Sequence, residues 1–347
     1  VANPEVDDVD MATLGSSGIP TSRLGFGMWP IGGTKERNDY GEVDDQQALA
    51  AIRRALDLGV TLFDTAPAYG EGRAEVLLGE GLAGSDRQAT VVTKCAVHWS
   101  WDEEKWVTDS SRDAIIRSAE QSLVRLRRDV IDVLLIHVPD PAVGPDEPMR
   151  AFEELKAAGK VRGVGVSNFS LAQLEAYRAI GPIDVIQVGY HLFDRRMERE
   201  MLPYAKQHGI GVMTYGSLAH GLLTGTWTAN QTFAKSDWRA AGDSFGLPLF
   251  TEANLPRNVA VVERLKEVAA RSGHTVAQLA IAWALLNPTV DVALTGARQP
   301  SEIEDNADGV AWRLGDDVVA EIEAIMKDAA GTSVEGEYVV NQRSTDS

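Results

Sequence analysis

Short β-branched runs recur along this chain, each followed by a helical stripe, and several end in a polar residue of a different chemical kind. Val60-Thr61-Leu62-Phe63 is closed by Asp64, Thr90-Val91-Val92-Thr93 by Lys94, and Val133-Leu134-Leu135-Ile136 by His137. A run at Val161–Val166 passes into Ser167 and Asn168, Asp184–Val188 carries Gln187, and Ile210–Tyr215 and Val290–Thr295 complete a series that starts at Leu24–Met28. Most intervals lie near the roughly 30 residues of one βα unit, so the alternation predicts an α/β fold with a parallel sheet. Eight strands can close a (β/α)8 TIM-type barrel, with a doubly wound open sheet as the alternative.

The rest of the chain is read around that series. Met11–Leu14 and the turn residues Gly15–Pro20 predict an N-terminal hairpin. Helices are expected at Asp45–Leu58, Arg73–Leu82, from caps at Asp109 and Ser110 to Leu126, Pro148–Ala158, Leu171–Ile180 and Met197–His208. A long irregular stretch, Leu218–Asn254, follows the seventh strand and reads as a lid or binding loop. Extra helices are expected toward the C-terminus, at Pro256–Ser272, Val276–Leu286, Pro300–Asp308 and Asp316–Asp328. The expected organisation is a flexible segment over 1–10, a single barrel domain over 11–330, and a mobile tail over 331–347.

Composition removes several function classes. With a formal net charge of −18, the chain has no basic stripe to offset phosphate repulsion, which argues against nucleic acid and anionic membranes. No apolar run approaches the length of a membrane helix, and Val1–Asp10 is acidic rather than a signal peptide. Cys95, the single cysteine, excludes an internal disulfide and fits a reducing, cytoplasmic setting. Histidines 98, 137, 191, 208, 220 and 274 show no metal-ligand spacing, so no metal is expected. Gly79-Glu80-Gly81-Leu82-Ala83-Gly84 matches a dinucleotide fingerprint in letters, but it follows a helix rather than a strand and is read as a helix terminus.

Asp64, Lys94 and His137 at the ends of successive strands, with Tyr69 in the first following loop, form the pattern of a catalytic face. Each has a bland reading as a cap, a rim aromatic, a solvated charge or a satisfied core histidine; their joint placement is the signal. A lysine beside a tyrosine hydroxyl favours the phenolate and makes the phenol a better proton donor near neutral pH. A carboxylate keeps the lysine charged, and a neutral histidine orients a carbonyl oxygen. With no covalent nucleophile in evidence, the species attacking the carbon is expected to come from a cofactor, hydride being the natural candidate. The site is expected to open to solvent, so that loss of Lys94 would little affect folding.

From about Leu24 to Leu314 the chain resembles the aldo-keto reductases. The resemblance rests on Phe63-Asp64-Thr65-Ala66-Pro67-Ala68-Tyr69-Gly70, Thr93-Lys94, Leu135-Ile136-His137, Gly163–Phe169, Gln187, Tyr215-Gly216-Ser217-Leu218, and Thr295–Arg298 continued by Asn306. It implies a catalytic tetrad of Asp64, Tyr69, Lys94 and His137, with Tyr69 as general acid. It also implies that Ser167, Asn168 and Gln187 hold the nicotinamide carboxamide, that Tyr215 stacks on its ring, and that Gly27 and Met28 lie beneath the coenzyme. Gly216, Ser217, Leu218, Gly296, Arg298, Glu302 and Asn306 would line the remainder of the coenzyme site. Arg298 favours NADP(H), whereas a carboxylate at Glu302 leaves NAD(H) as the alternative. Trp29, His98 and Trp99, with Trp227 and Trp238 further on, are expected to meet a small carbonyl or alcohol substrate such as a sugar. A redox-sensing regulatory subunit that binds coenzyme with little turnover is the alternative function.

Overall fold

The computed structural model describes residues 9–33, 40, 43–100, 102–235 and 237–335. Its strands are β1 (Met11–Thr13), β2 (Pro20–Ser22), β3 (Leu24–Gly27), β4 (Leu62–Asp64), β5 (Thr90–Cys95), β6 (Val97–Ser100), β7 (Lys105–Thr108), β8 (Ile131–Ile136), β9 (Val161–Ser167), β10 (Val185–Gly189), β11 (Gly211–Tyr215) and β12 (Val292–Gly296). β3, β4, β5, β8, β9, β10, β11 and β12 are neighbours in that order, and β12 returns to β3 to close a barrel. Every pairing within it is parallel. The closed barrel, rather than an open sheet, is therefore the fold.

Two apolar layers follow from strand alternation. Leu62, Val92, Val133, Leu135, Val185, Met213, Val292 and Leu294 fill the barrel interior. Phe63, Val91, Leu134, Ile186, Val212 and Ala293 point the other way, into the larger core shared with the helices. Side chains repeat with period two along a strand, so the residue two beyond an interior residue is also interior. That rule carries Leu62 to Asp64, Val92 to Lys94, Leu135 to His137, Val185 to Gln187 and Met213 to Tyr215. All of these therefore reach the C-terminal mouth of the barrel. The interior layer has no space to spare: a Cβ on Gly165 would approach Leu135 Cδ2 to 2.7 Å, and one on Gly25 would approach Leu62 Cδ2 to the same distance.

The other end of the barrel is stoppered. β1 and β2 form the expected antiparallel hairpin, whose tip residues Leu14 and Ile19 join the interior cluster. The turn is fixed by Gly15, at φ +48°, whose N–H donates to Asp291 Oδ2 at 3.0 Å. Only the mouth lined by the strand C-termini remains open for chemistry.

Helices follow their caps. Asp44 accepts the Gln47 N–H to start Asp45–Asp57, and capping boxes at Ser170–Gln173 and Thr275–Gln278 start Leu171–Arg178 and Val276–Leu286. The expected start at Asp109 and Ser110 is displaced: the helix runs Arg112–Leu126 with Ser111 as its N-cap. Asp109 Oδ1 instead accepts the Ser111 N–H, and the Ser110 N–H goes to Asp140 Oδ2. The helix expected from Met197 is a 3-10 turn at Arg196–Glu198 followed by Met201–His208. Pro203 explains the division, because its ring is tolerated only in a first helical turn. Gly79 and Gly81 lie within the helix Arg73–Leu82, where a Cβ on Gly79 would meet Arg125 O at 2.8 Å. Close helix packing, not a phosphate loop, accounts for those glycines.

An antiparallel hairpin, β6 with β7, stands over the barrel mouth where sequence patterning gave no element. Of the terminal segments, Val9 is buried, the Asp10 carbonyl accepts the Arg23 N–H, and Ser333 O accepts the Arg195 N–H. Residues 1–8 and 336–347 lie outside the described residues. No helix among the described residues is long and apolar enough to cross a membrane.

Candidate active site

Lys94 is the hub of the barrel mouth. The residue is 1% exposed, and its ammonium donates to Asp64 Oδ1 at 2.9 Å and Oδ2 at 2.8 Å, to Thr65 O at 3.0 Å, and to Tyr69 Oη at 3.1 Å. Gln187 Nε2 donates to Asp64 Oδ1 at 2.6 Å, so the buried carboxylate is held from two sides. The His137 ring meets the Tyr69 ring edge-on, with centroids 5.7 Å apart. Strand ends thus supply a carboxylate, an ammonium and an imidazole around one phenol. The expectation that an open site makes Lys94 dispensable to folding is corrected: the cavity is open, but Lys94 is enclosed and reaches it only through its partners Asp64 and Tyr69, which line it.

Burial and charge set the protonation states. Burial, with the Lys94 charge adding to it, holds His137 well below the ordinary imidazole range, so it is neutral at pH 7. For Lys94, burial pulls the ammonium below its usual range while Asp64 pulls it back. A salt bridge to two carboxylate oxygens keeps the charged form in place.

Beside this group lies a ledge of amides and hydroxyls. Asn168, with a left-handed backbone (φ +63°), donates from Nδ2 to His137 O at 2.8 Å and to Ser167 Oγ at 3.1 Å. Tyr215 Oη donates to Asn168 Oδ1 at 2.6 Å. A cavity of about 1410 Å³ runs over this ledge, lined by Gly27, Trp29, Asp64, Tyr69, His137, Ser167, Asn168, Gln187, Tyr215, Gly216, Ser217 and Leu218. Gly296, Arg298, Glu302 and Asn306 line its far end, at the N-terminus of the helix Pro300–Ala311. There the Glu302 carboxylate turns back to accept the Arg298 N–H at 2.8 Å. The Arg298 guanidinium makes no ion pair among the described residues. Glu304 pairs with Arg54 at 2.6 Å, and Asp305 accepts from Thr275 and Gln278.

Besides the enclosed Lys94, three sequence-derived site residues are not brought to the cavity wall. Met28 is fully buried in the core, one position beyond β3, and its side chain points away from the mouth. His98, on β6, is exposed and does not line the cavity, whereas its cross-strand partner Val107 does. Trp99 packs edge-on behind Trp106 at 5.5 Å, and Trp106 takes the lining position. Trp29 does line the cavity, stacked between Tyr69 at 6.0 Å and Trp238 at 5.8 Å.

Sequence reasoning missed part of this wall. Tyr40 meets both Trp29 and Trp238 edge-on, and His220 and Phe245 complete the aromatic enclosure. Arg239 fastens it: the guanidinium grips Asp237 at 2.6 Å, donates to His220 O at 2.9 Å, and lies over the rings of Tyr40, Trp227 and Phe233. The pattern Asp237-Trp238-Arg239 inside an aromatic-rich loop was the available signal.

Comparison with known proteins agrees with this geometry. Residues 23–327 match the aldo/keto reductase family. The chain is 38% identical to the aldo-keto reductase YhdN of Bacillus subtilis, over 95% of this chain and 98% of the relative. It is 32% identical to the NADH-specific methylglyoxal reductase of Escherichia coli, over 87% of this chain and 94% of that enzyme. A solved glycerol dehydrogenase from Gluconobacter oxydans superposes with a TM-score of 0.82 at 34% identity, covering 95% of this chain and 98% of the other. The chain belongs to the aldo/keto reductase family and is an oxidoreductase of carbonyl groups that uses a nicotinamide coenzyme.

Proposed function

We propose that Tyr69 is the proton donor for reduction of a small hydroxylated carbonyl compound, and that Lys94 and Asp64 make it effective. The observation that carries this is the Lys94 ammonium, 3.1 Å from the phenolic oxygen and salt-bridged to a buried carboxylate. A positive charge at that distance stabilises the phenolate left after proton transfer, which lowers the barrier to releasing the proton. Asp64, held by Gln187, fixes the ammonium so that it does not swing away from Tyr69. His137, neutral and beside the Tyr69 ring, donates a hydrogen bond that orients the carbonyl oxygen.

The ledge fits a nicotinamide coenzyme. A carboxamide needs both donors and acceptors, and Ser167, Asn168 and Gln187 offer both beside an aromatic ring at Tyr215. When bound there, the coenzyme supplies the hydride for the carbonyl carbon. Gly27 leaves space for it, Gly216, Ser217 and Leu218 flank its course, and Gly296, Arg298, Glu302 and Asn306 take its adenosine end. For the 2′ position we favour NADP(H): the Arg298 guanidinium is available, while Glu302 is engaged by the Arg298 N–H. The NADH-specific relative supports the NAD(H) alternative.

Trp29, Tyr40, Trp106 and Trp238 offer flat apolar faces, with His220 as a polar neighbour. Such a mixture suits short polyols and their carbonyl forms, sugars included. Relatives that act on methylglyoxal and glycerol support that size class.

The test is a panel of aldehydes and ketones, assayed at 340 nm with NADPH and with NADH. Rapid coenzyme oxidation by short hydroxylated carbonyls is expected. A bound coenzyme that stays reduced across the panel would favour the regulatory-subunit reading.

A further inference from the structure

Tyr215, Asn168 and His137 come from the ends of β11, β9 and β8, yet they are joined by two hydrogen bonds. Tyr215 Oη crosses over β10 to donate to Asn168 Oδ1 at 2.6 Å, and Asn168 Nδ2 donates to the His137 carbonyl at 2.8 Å. The amide orientation is forced, because a carbonyl oxygen only accepts and so the NH2 group must face His137. Asn168 holds a left-handed backbone that asparagine tolerates at some cost, and its N–H donates to Gln187 O at 3.3 Å. The side chain is thus fixed at both ends.

We infer that the Tyr215 hydroxyl is a positioning group for proton transfer: by holding the Asn168 amide it fixes the His137 peptide, and with it the imidazole beside Tyr69. This goes beyond a stacking role for the Tyr215 ring, and it rests on the proposed reading of Tyr69 and His137 for its effect on turnover. The ring and the hydroxyl then serve separate purposes. The ring faces the cavity, packed against Phe245 at 5.6 Å. The hydroxyl ties that wall to the carbonyl-orienting side of the site.

Tyr215→Phe separates the two. NADPH affinity, followed by protein fluorescence, should stay within about threefold of wild type because the ring remains. With the fastest carbonyl of the panel, kcat should fall about tenfold and KM for the carbonyl should rise severalfold. In an Asn168→Ala background the same change should do nothing further, since the link is already broken. Without any substrate, the His137 Cε1–H resonance should move in Tyr215→Phe at unchanged melting temperature. An unmoved His137 resonance, or the same loss of kcat in both backgrounds, overturns the inference. Absence of carbonyl turnover in the wild type would instead sink the reading of Tyr69, and the resonance would still decide this one.

Discussion

Lys94 and Asp64 form a salt bridge in which both partners are almost wholly enclosed, at 1% and 4% exposure. Such a pair is asymmetric in its energetics: removing one partner leaves an uncompensated buried charge, whereas replacing both with neutral groups is far milder. We therefore predict that Lys94→Met abolishes activity and also destabilises the fold, by about 3–5 kcal/mol. Pairing it with Asp64→Asn should restore most of the stability and none of the activity. Urea unfolding and steady-state assay of the single and double variants measure this. A Lys94→Met protein as stable as wild type would show that water reaches Asp64.

Coenzyme choice turns on Arg298 and Glu302. If Arg298 pairs with a 2′-phosphate, Arg298→Ala should weaken NADPH by ten- to hundredfold, equivalent to roughly 1.5–3 kcal/mol, and NADH little. Glu302→Gln should strengthen NADPH by removing a repulsive charge. Fluorescence titration with both coenzymes checks each variant. Equal weakening of the two by Arg298→Ala would make NAD(H) the better assignment.

His191 and His220 are both buried, and burial holds both far below the ordinary imidazole range, His191 down to about 3. Unfolding frees them to bind protons below about pH 6.5. In that window the unfolded state binds more protons than the folded one, so stability rises with pH and is lost as pH falls. Each histidine costs about 1.4 kcal/mol per pH unit below its free value. Urea unfolding at pH 7, 6 and 5 should show this loss, and His220→Gln should reduce it by one histidine's share, leaving those of His191 and His137. A stability that stays level from pH 7 to pH 5 would mean these rings already carry protons when folded.

Arg239 holds the aromatic wall together from a loop with little regular structure. Arg239→Leu should raise KM for the carbonyl substrate by about tenfold while changing NADPH affinity little, because the tether to Asp237, His220 and Tyr40 is lost. Steady-state kinetics checks this. A change confined to the coenzyme constant would place the loop over the coenzyme instead.

Strand ends were legible because period-two alternation is local: Leu62, Val92 and Leu135 announce Asp64, Lys94 and His137 two positions on. The substrate wall was not. Trp99 and Trp106 belong to a hairpin joined through an acidic turn, and they meet only because the register pairs them across it, on one face. Tyr40, His220, Phe245 and Arg239 meet only in three dimensions, so no window of sequence contains them together. Enclosure of Lys94 was equally invisible, since it depends on Gln187 and Thr65 closing over the salt bridge.

The most direct test of Tyr69 as proton donor is a single turnover in Tyr69→Phe with NADPH already bound. The variant keeps the ring that stacks on Trp29 and lacks only the hydroxyl that faces Lys94. Stopped-flow absorbance at 340 nm after mixing with the fastest carbonyl should show oxidation slowed by about 10²–10⁴-fold, with NADPH affinity little changed. Oxidation at the wild-type rate would contradict the role of Tyr69 and, with it, the function assigned to the Lys94–Asp64 pair.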